Sequence, residues 1–394
     1  MRLLHTSDWH LGRTLHRADL GDAQAAFLDA LAQTVRSERV DAVLVSGDVF
    51  DRAVPSVEAV GMYDEAVFRL ADAGARVIVT SGNHDSASRL GVGARLVDKA
   101  GVHVRTRPQD CGVPVLLGDE HGAVAVYGLP YLEPDAVRAV LPADPGGSLQ
   151  EPRGHAGVLG RAMACVRADL ATRHARSVVL AHAWVSGGQV SDSERDITVG
   201  GVGAVGASLF DGIDYTALGH LHGAQVLRPG LRYSGSPLAY SFSEAGHTKG
   251  SWLVELDAGG LGAVVQVPSP PTRRLSALCG TLEALLLSPT FAEEQDDWLS
   301  VVLTDAVRPE EAMQRLRTRF PNVLVLEWKP EGPVADERSY GARVADRSDL
   351  DVAAEFVRHV RGGGAASDAA AADEAELALL RQALESGRLA AASA

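Results

Sequence analysis

Arg76-Val77-Ile78-Val79-Thr80-Ser81-Gly82-Asn83-His84-Asp85 joins an apolar run to a polar cluster. The run Arg76 to Thr80 reads as a strand buried on both faces, because β-branched residues follow one another without polar interruption. The segment after it contributes nothing to a core. Gly82 permits backbone angles that other residues resist, Asn83 offers a neutral amide oxygen, His84 a titratable ring, and Asp85 a carboxylate able to orient that ring. A polar loop of this kind is most often a simple turn. A loop leaving a buried strand is also where α/β folds mount their reactive groups, and the rest of the chain repeats the arrangement.

Leu3 to Thr6 is a short first strand followed by Asp8-Trp9-His10-Leu11-Gly12. Phe27, Leu28, Leu31 and Val35 recur at helical spacing between Asp22 and Arg36. Val40 to Ser46 is a second buried strand, ending in Gly47-Asp48-Val49-Phe50-Asp51, and a helix from about Ser56 to Ala73 leads through Gly74 to the Arg76 strand. This alternation predicts a sheet with helices on its faces and polar groups at one edge. Further on, Val113 to Leu117 and Ala123 to Leu129 read as strands. The Pro- and Gly-rich segment Pro142 to Gly157 precedes a helix reaching about Arg176. Ser177 to His182 and Tyr215 to Leu218 end at His182 and at Gly219-His220-Leu221-His222, on either side of a long glycine-rich loop. Two hairpins follow, Gln225 to Ser234 and Trp252 to Val267.

Pro268-Ser269-Pro270-Pro271 reads as a linker to a small α+β unit, with strands at Leu275 to Leu278, Trp298 to Thr304 and Val323 to Trp328 and a helix at Pro309 to Phe320. A second linker, Pro330 to Arg347, precedes a helix at Asp349 to Arg361 that is capped by Ser348 and stopped by Gly362-Gly363-Gly364. A last helix runs from Asp373 to about Glu385 with Leu377, Leu380 and Leu384 as its apolar stripe. Such terminal helices either dock on their own domain or need another chain to cover that face.

The 394 residues suffice for two domains, and 46% apolar with 22% charged residues is an ordinary globular composition. The start of the chain turns polar too soon for a signal peptide, and no run approaches the roughly eighteen apolar residues of a membrane span, so a cytoplasmic protein without membrane contact is expected. Cys111, Cys165 and Cys279 are too scattered for a thiolate metal site and read as buried fillers. A net charge of −14 excludes a protein that coats nucleic acid by bulk attraction. It leaves room for a local site in which cations, an arginine cluster or a partner bring a polyanion close.

The strand-end groups are Asp8, His10, Asp48, Asn83, His84, His182, His220 and His222. Imidazole, carboxylate and amide oxygen together suit two borderline divalent cations, with a shared carboxylate such as Asp48 between them. Asp8-x-His10, Gly47-Asp48, Gly82-Asn83-His84-Asp85, His182 and Gly219-His220-x-His222 resemble the five motifs of the calcineurin-like metallophosphoesterases, in order. More narrowly, Thr6 to Gly12, Gly47 to Asp51 and Tyr233-Ser234-Gly235-Ser236-Pro237-Leu238 resemble the SbcD-type nuclease subunits of bacterial SbcCD complexes.

The resemblance implies a four-layer α/β sandwich, two packed mixed sheets flanked by helices, over residues 1–267. It also implies a small α+β capping and DNA-steering domain over 272–330, and helices for an ATPase partner over 346–394. It implies one metal on Asp8, His10, Asp48 and His222 and a second on Asp48, Asn83, His182 and His220. His84 would be the proton donor or transition-state stabiliser and Asp85 the residue that holds its ring. The implied cations are manganese, and the implied partners are DNA, a second copy of the chain and an SbcC-type ATPase, in a heterotetramer. The implied activity is 3′–5′ exonuclease on duplex ends and endonuclease on single strands and hairpins, in DNA repair.

Where SbcD-like chains often carry Arg-Pro-Gln, this one has Gly223-Ala224-Gln225, which removes a basic contact that Arg13, Arg17, Arg89 or Arg95 would have to replace. Gly201-Val-Gly203-Ala-Val-Gly206 fits a dinucleotide fingerprint in letters only, with no clear strand before it. Asp211, Asp214 and the acids of the 190s read as turn formers. Two rival functions stand beside the nuclease: a phosphoesterase for nucleotides or small phosphodiesters, and a metal-bearing scaffold that tethers an ATPase to DNA without cutting.

Overall fold

The apolar runs become strands in chain order: β1 (Arg2–Thr6), β2 (Ala42–Ser46), β3 (Arg76–Thr80), β4 (Val102–Arg105), β5 (Val115–Asp119), β6 (Gly122–Leu129), β7 (Ala175–His182), β8 (Tyr215–Gly219), β9 (Gln225–Arg228), β10 (Leu231–Tyr233), β11 (Gly250–Asp257) and β12 (Gly260–Pro268). The structure is a computed structural model that describes residues 1–143, 145–146, 153–195, 203–331, 347–362 and 371–392. It divides into two compact units, Met1–Thr272 and Arg273–Ala394.

In the first unit the strands form two mixed six-stranded sheets, ordered β12-β11-β1-β2-β3-β4 and β5-β6-β7-β8-β10-β9. Strands β1 to β4 run parallel, as do β6, β7, β8 and β10, while β11, β12, β5 and β9 join antiparallel. Alternation along each strand sorts the side chains into layers. Leu4, Val43, Val45, Val77 and Val79 face the helices Gly21–Glu38 and Val57–Asp72, meeting Phe27, Leu31, Val35 and Leu70. Leu3, Leu44 and Ile78 turn the other way and meet Val124, Val126, Val178, Leu180 and Tyr215 of the second sheet. The far side of that sheet packs Tyr127, Val179 and Ala181 on Val158, Ala162 and Val166 of the helix Gly154–Leu170. The result is the expected four-layer order of helices, sheet, sheet and helix.

Several boundaries move for physical reasons. Ser56 caps its helix by accepting the Ala59 amide at 3.2 Å, as that residue type favours. The helix expected to reach Arg176 ends at Leu170, because Ala175 already pairs with Ala123 in the β6–β7 ladder. Arg176 is then a buried strand residue whose guanidinium serves Asp119 and the carbonyls of Gly122, Leu256 and Asp257. Of the dinucleotide-like stretch, Gly201 and Val202 lie outside the described residues. Val205 makes only an isolated bridge to Val185, and Gly206 leads into the short 3₁₀ turn Ala207–Phe210.

The second unit holds three parallel strands, β13 (Leu275–Gly280), β14 (Trp298–Leu303) and β15 (Val323–Trp328), in that order. Leu278, Leu285, Leu299, Val301, Leu316 and Phe320 form its core. The helix expected at Pro309 to Phe320 shortens to Ala312–Arg317, since Glu311 adopts a left-handed φ of 48°. The linker residues 332–346 and Gly363-Gly364 lie outside the described residues. The helix Asp349–Gly362 begins at Ser348, which accepts the Asp351 amide at 3.2 Å. The last helix runs past Glu385 to Ala392, starting from a reciprocal cap in which Asp373 accepts the Glu376 amide (2.8 Å) and Glu376 accepts the Asp373 amide (3.0 Å). Among the described residues, no helix is long and apolar enough to cross a membrane.

At Gly219 the sheets lie so close that a Cβ would sit 1.9 Å from the Ser46 carbonyl oxygen. Gly219→Ala is therefore expected to destabilise the first unit by about 3 kcal/mol or more, since backbone cannot move aside. Gly160→Ala, whose Cβ meets only Leu209 Cδ1 at 4.0 Å inside a helix, should stabilise it by about 0.5–1 kcal/mol. Urea unfolding of the two variants checks the contrast.

Candidate metal centre

Because β1, β2 and β3 are parallel in one sheet and β7 and β8 in the other, their C-terminal ends share an edge, and the loops that leave them converge there. The first two loops are laced by backbone bonds from Asp8 N to Gly47 O (3.0 Å) and from His10 N to Asp48 O (3.0 Å). Asp8, His10, Asp48 and His220 hold positive φ angles of 52°, 45°, 49° and 107°. Such conformations cost a residue with a side chain about 1–3 kcal/mol each and persist only where the surroundings enforce them. Here the enforcement is mutual: the His220 amide donates to both Asp8 oxygens (3.0 and 3.1 Å), and the His84 amide donates to Asp48 Oδ1 (2.8 Å). Gly82 has to be glycine for the same reason, since a Cβ there would lie 2.1 Å from Asp48 Oδ1.

The strand-end groups come together. His10 Nε2 lies 3.1 Å from His222 Nε2 and 3.6 Å from Asp48 Oδ2. Asn83 Oδ1 lies 2.8 Å from His182 Nε2 and 3.2 Å from His220 Nδ1, and His182 Nε2 is also 3.5 Å from Asp48 Oδ2. Three groups have donor atoms within 4.8 Å of one another: Asp8 with His10 and His222, Asp8 with Asp48 and His182, and His10 with Asp48 and His84. Asp48 is thus common to two of them.

These contacts fit cations rather than hydrogen bonds. The Nδ1 of His182 lies 2.9 Å from the Ser46 carbonyl, which can only accept, so Nδ1 carries the proton and a neutral ring presents a lone pair at Nε2. That lone pair faces two oxygens that are acceptors themselves. Burial, with the neighbouring histidines, pushes His10 and His220 well below the usual imidazole range, so the rings stay neutral. Burial and then the charge of Asp48 push Asp8 well above the usual carboxylate range. A divalent cation among these atoms would take up the neutral imidazole lone pairs and offset the crowded carboxylate charge.

His84 stands edge-on to His10, with ring centroids 4.7 Å apart, and its Nδ1 lies 2.8 Å from the backbone carbonyl of Asp51. Asp85 therefore does not hold this ring, contrary to the expectation. Its oxygens accept the amides of Gly82 (2.8 Å), Phe50 (2.9 Å) and Val49 (3.1 Å), so it ties the third loop to the second. Burial and then Asp48 push its carboxyl up to about 7. Sequence neighbours in a tight turn point apart, which leaves the ring to a carbonyl from another loop.

Several groups at the site are not apparent in the sequence. Glu194 is a turn former as expected, with Oε2 accepting the Ser191 amide (2.6 Å), but its Oε1 also accepts the His222 amide (2.7 Å). Ser193 Oγ meets His222 Nδ1 at 2.6 Å and donates to the fully buried Glu244, which is paired with Lys249. Although burial raises it, the bonds from His222 and Lys249 leave Glu244 below the usual carboxylate range. Asp214 accepts the Ser177 amide and hydroxyl, and Asp211 pairs with Arg228, both away from the Asp and His cluster.

Of the four arginines, Arg13 reaches the site, donating to Ser193 O at 2.7 Å and stacking 5.0 Å over Tyr240, whereas Arg17, Arg89 and Arg95 are exposed. At the departure, a Cβ on Gly223 would press on Gln225 and His247 at 3.3 Å. Cys111 and Cys165 are buried as expected. Cys279 is exposed, and none of the three forms a disulfide.

Residues 1–136 match the family described as calcineurin-like phosphoesterase. With the paired sheets and the clustered Asp and His ligands, that match makes the chain a metal-dependent hydrolase of phosphoester bonds. Residues 271–361 match the type 5 capsule protein repressor C-terminal domain, and the two matches in one chain fit an SbcD-type nuclease of the metallophosphoesterase superfamily. Among solved structures the chain is similar to TT1561 of Thermus thermophilus, at 14% identity over 67% of this chain and 98% of that one, with a TM-score of 0.37. It is also similar to GAP50, the anchor in the inner membrane complex of Plasmodium, at 13% identity over 84% and 98%, with a TM-score of 0.36.

Asp85→Ala leaves three amides without an acceptor and should cost about 2–4 kcal/mol in urea unfolding, with weaker metal uptake because Asn83 loses its anchor. Asp51→Ala should leave the orientation of His84 intact, because the bond is to the backbone; an unchanged His84 ring-nitrogen NMR signal checks it.

Proposed function

We propose that this chain is a two-metal DNA phosphodiesterase: a 3′–5′ exonuclease on duplex ends and an endonuclease on single strands and hairpins, working in the cytoplasm as the nuclease subunit of an ATP-regulated repair complex. The convergence of seven metal-donor side chains from five strand ends on one buried edge, with His84 standing beside them, carries the reading. Asp8, His10, Asp48 and His222 would hold one cation, and Asp48, Asn83, His182 and His220 the other, with manganese the cation that the resemblance to SbcD-type chains implies. When bound, the pair would lower the pKa of a water to make a nucleophile and offset charge on the phosphoryl oxygens.

The chain's own residues do the rest. His84, with Nδ1 donating to the Asp51 carbonyl, has Nε2 left to hold a proton for the leaving oxygen. Arg13, held near the centre by Ser193 O and the Tyr240 ring, is the local cation that would meet a substrate phosphate in place of a basic residue at Gly223-Ala224. In a chain of charge −14, this local arginine and the cations supply the attraction for a polyanion.

Two apolar faces support the partners. The helix Val57–Asp72 exposes Val57, Val60 and Phe68 along one side, a stripe suited to the same face of a second copy. The C-terminal helices expose Phe356, Val360 and Leu379, suited to the coiled coil of an SbcC-type ATPase. The domain of residues 272–330 would cap the site and steer DNA.

Cleavage of a labelled duplex with a single-stranded overhang, with manganese, magnesium or chelator, tests the reading. Manganese-dependent cutting that falls below detection in Asp48→Ala is expected, and His84→Gln should bind metal normally while losing about 10²–10⁴-fold in turnover. Absence of cutting with and without the ATPase subunit, together with hydrolysis of a small phosphodiester, would replace DNA by small substrates. Deletion of residues 346–394 should abolish ATPase binding and spare cleavage, and Phe68→Glu should halve the mass measured by light scattering.

A further inference from the structure

The hydrogen bonds behind His222 have a direction. Glu244 is fully buried and paired with Lys249, whose ammonium also donates to His222 O at 2.8 Å and Ser236 Oγ at 3.0 Å. A carboxylate so paired accepts only, so the single hydroxyl proton of Ser193 goes to Glu244 Oε1. With that proton committed, and Ser191 Oγ at 3.2 Å donating to Glu194 instead, Ser193 Oγ accepts from His222 Nδ1 at 2.6 Å, where Glu244 Oε1 at 3.5 Å can also only accept. His222 is then protonated at Nδ1, and its Nε2 presents a lone pair toward His10 Nε2, 3.1 Å away.

We infer that Glu244 and Ser193 form a positioning relay that fixes the tautomer and the ring orientation of His222 for a metal. The inference rests on the metal-centre reading and adds to it two residues that lie far from the five motifs in sequence. It also gives the glycine-rich loop a task. Ser193 reaches His222 only while that loop is seated, and the seat is held by Arg13 on Ser193 O, by Glu194 on the His222 amide and by the Asp192 amide on Ser243 Oγ at 3.0 Å. The loop and the metal ligand are thereby mechanically linked: a displaced loop removes the proton acceptor that defines the ligand's lone pair.

The test uses the full-length chain with ¹⁵N-labelled histidine, and two readouts. Long-range ¹H–¹⁵N spectra of the metal-free protein should show His222 as the Nδ1–H tautomer, and Ser193→Ala should convert it to a mixture. Calorimetric titration with Mn(II) should show one of two sites weakened about 10- to 100-fold in Ser193→Ala and restored in Ser193→Thr, whose hydroxyl is retained. Because Ser193→Ala also takes a donor from the buried Glu244, its metal-free melting temperature should fall and that of Ser193→Thr should not, so the spectra and titrations are read well below the transition. Glu244→Gln, read only if it folds with a wild-type melting temperature, should give the same tautomer mixture, because an amide donates to Ser193 as readily as it accepts. An unchanged tautomer and unchanged Mn(II) affinity in Ser193→Ala overturn the relay. If Ser193→Ala shows the tautomer change while the wild-type protein takes up no Mn(II), the relay stands and the metal reading falls, which separates the two failures.

Discussion

Asp8 and Asp48 are buried to 0% and 2% exposure, and among the described residues neither is ion-paired with a lysine or arginine; their side chains face imidazoles, a serine and backbone amides. Burying two carboxylates at one point without a protein cation is among the most unfavourable arrangements a core can hold. Nothing in the packing of the sandwich asks for it. The four layers supply the stability that tolerates it: the apolar strands are buried on both faces, and each fully buried Val, Leu or Ile contributes about 1.5–3 kcal/mol. The electrostatic imbalance left over is what the site offers to divalent cations, and there the fold and the chemistry meet.

Most of this was legible because the chain keeps two kinds of residue apart. Buried strands were visible as unbroken runs of Val, Leu and Ile, and every ligand candidate stood within a few positions of a strand end. The reading faltered where meaning depends on distance in space. Asp85 follows His84 directly and so invited a pairing, yet the turn sends its carboxylate to the amides of Gly82, Val49 and Phe50. Ser193 and Glu244 belong to no period and no motif, and only the folded chain brings the turn at 191–194 and the turn Phe242–Glu244 to His222. The helix expected to reach Arg176 stops early because a ladder partner outweighs helical propensity, a competition decided by tertiary contacts.

The second unit is built on different terms. Three parallel strands and short helices bury Phe320 and its neighbours without assembling a catalytic cluster among the described residues, and beyond them two capped helices are joined by an Arg361–Glu376 ion pair. Caps and an exposed ion pair fix helix ends and register but contribute little to tertiary stability. Phe356 and Val360 therefore stay exposed on a helix whose ends are already well defined. A segment built in this way is ordered enough to present a face and leaves that face open.

The left-handed angles at Asp8, His10, Asp48 and His220 have a consequence for anyone who tries to improve this protein. Each is a position where glycine would relax the backbone. A selection for heat resistance alone, carried out without divalent metal, would reward substitutions at these four places and would also favour removing the buried charges. Stability and chemistry are thus ranked in opposite order at the same residues. Thermostable descendants obtained that way would keep the sandwich and lose the centre, and only a screen run with metal present would keep both.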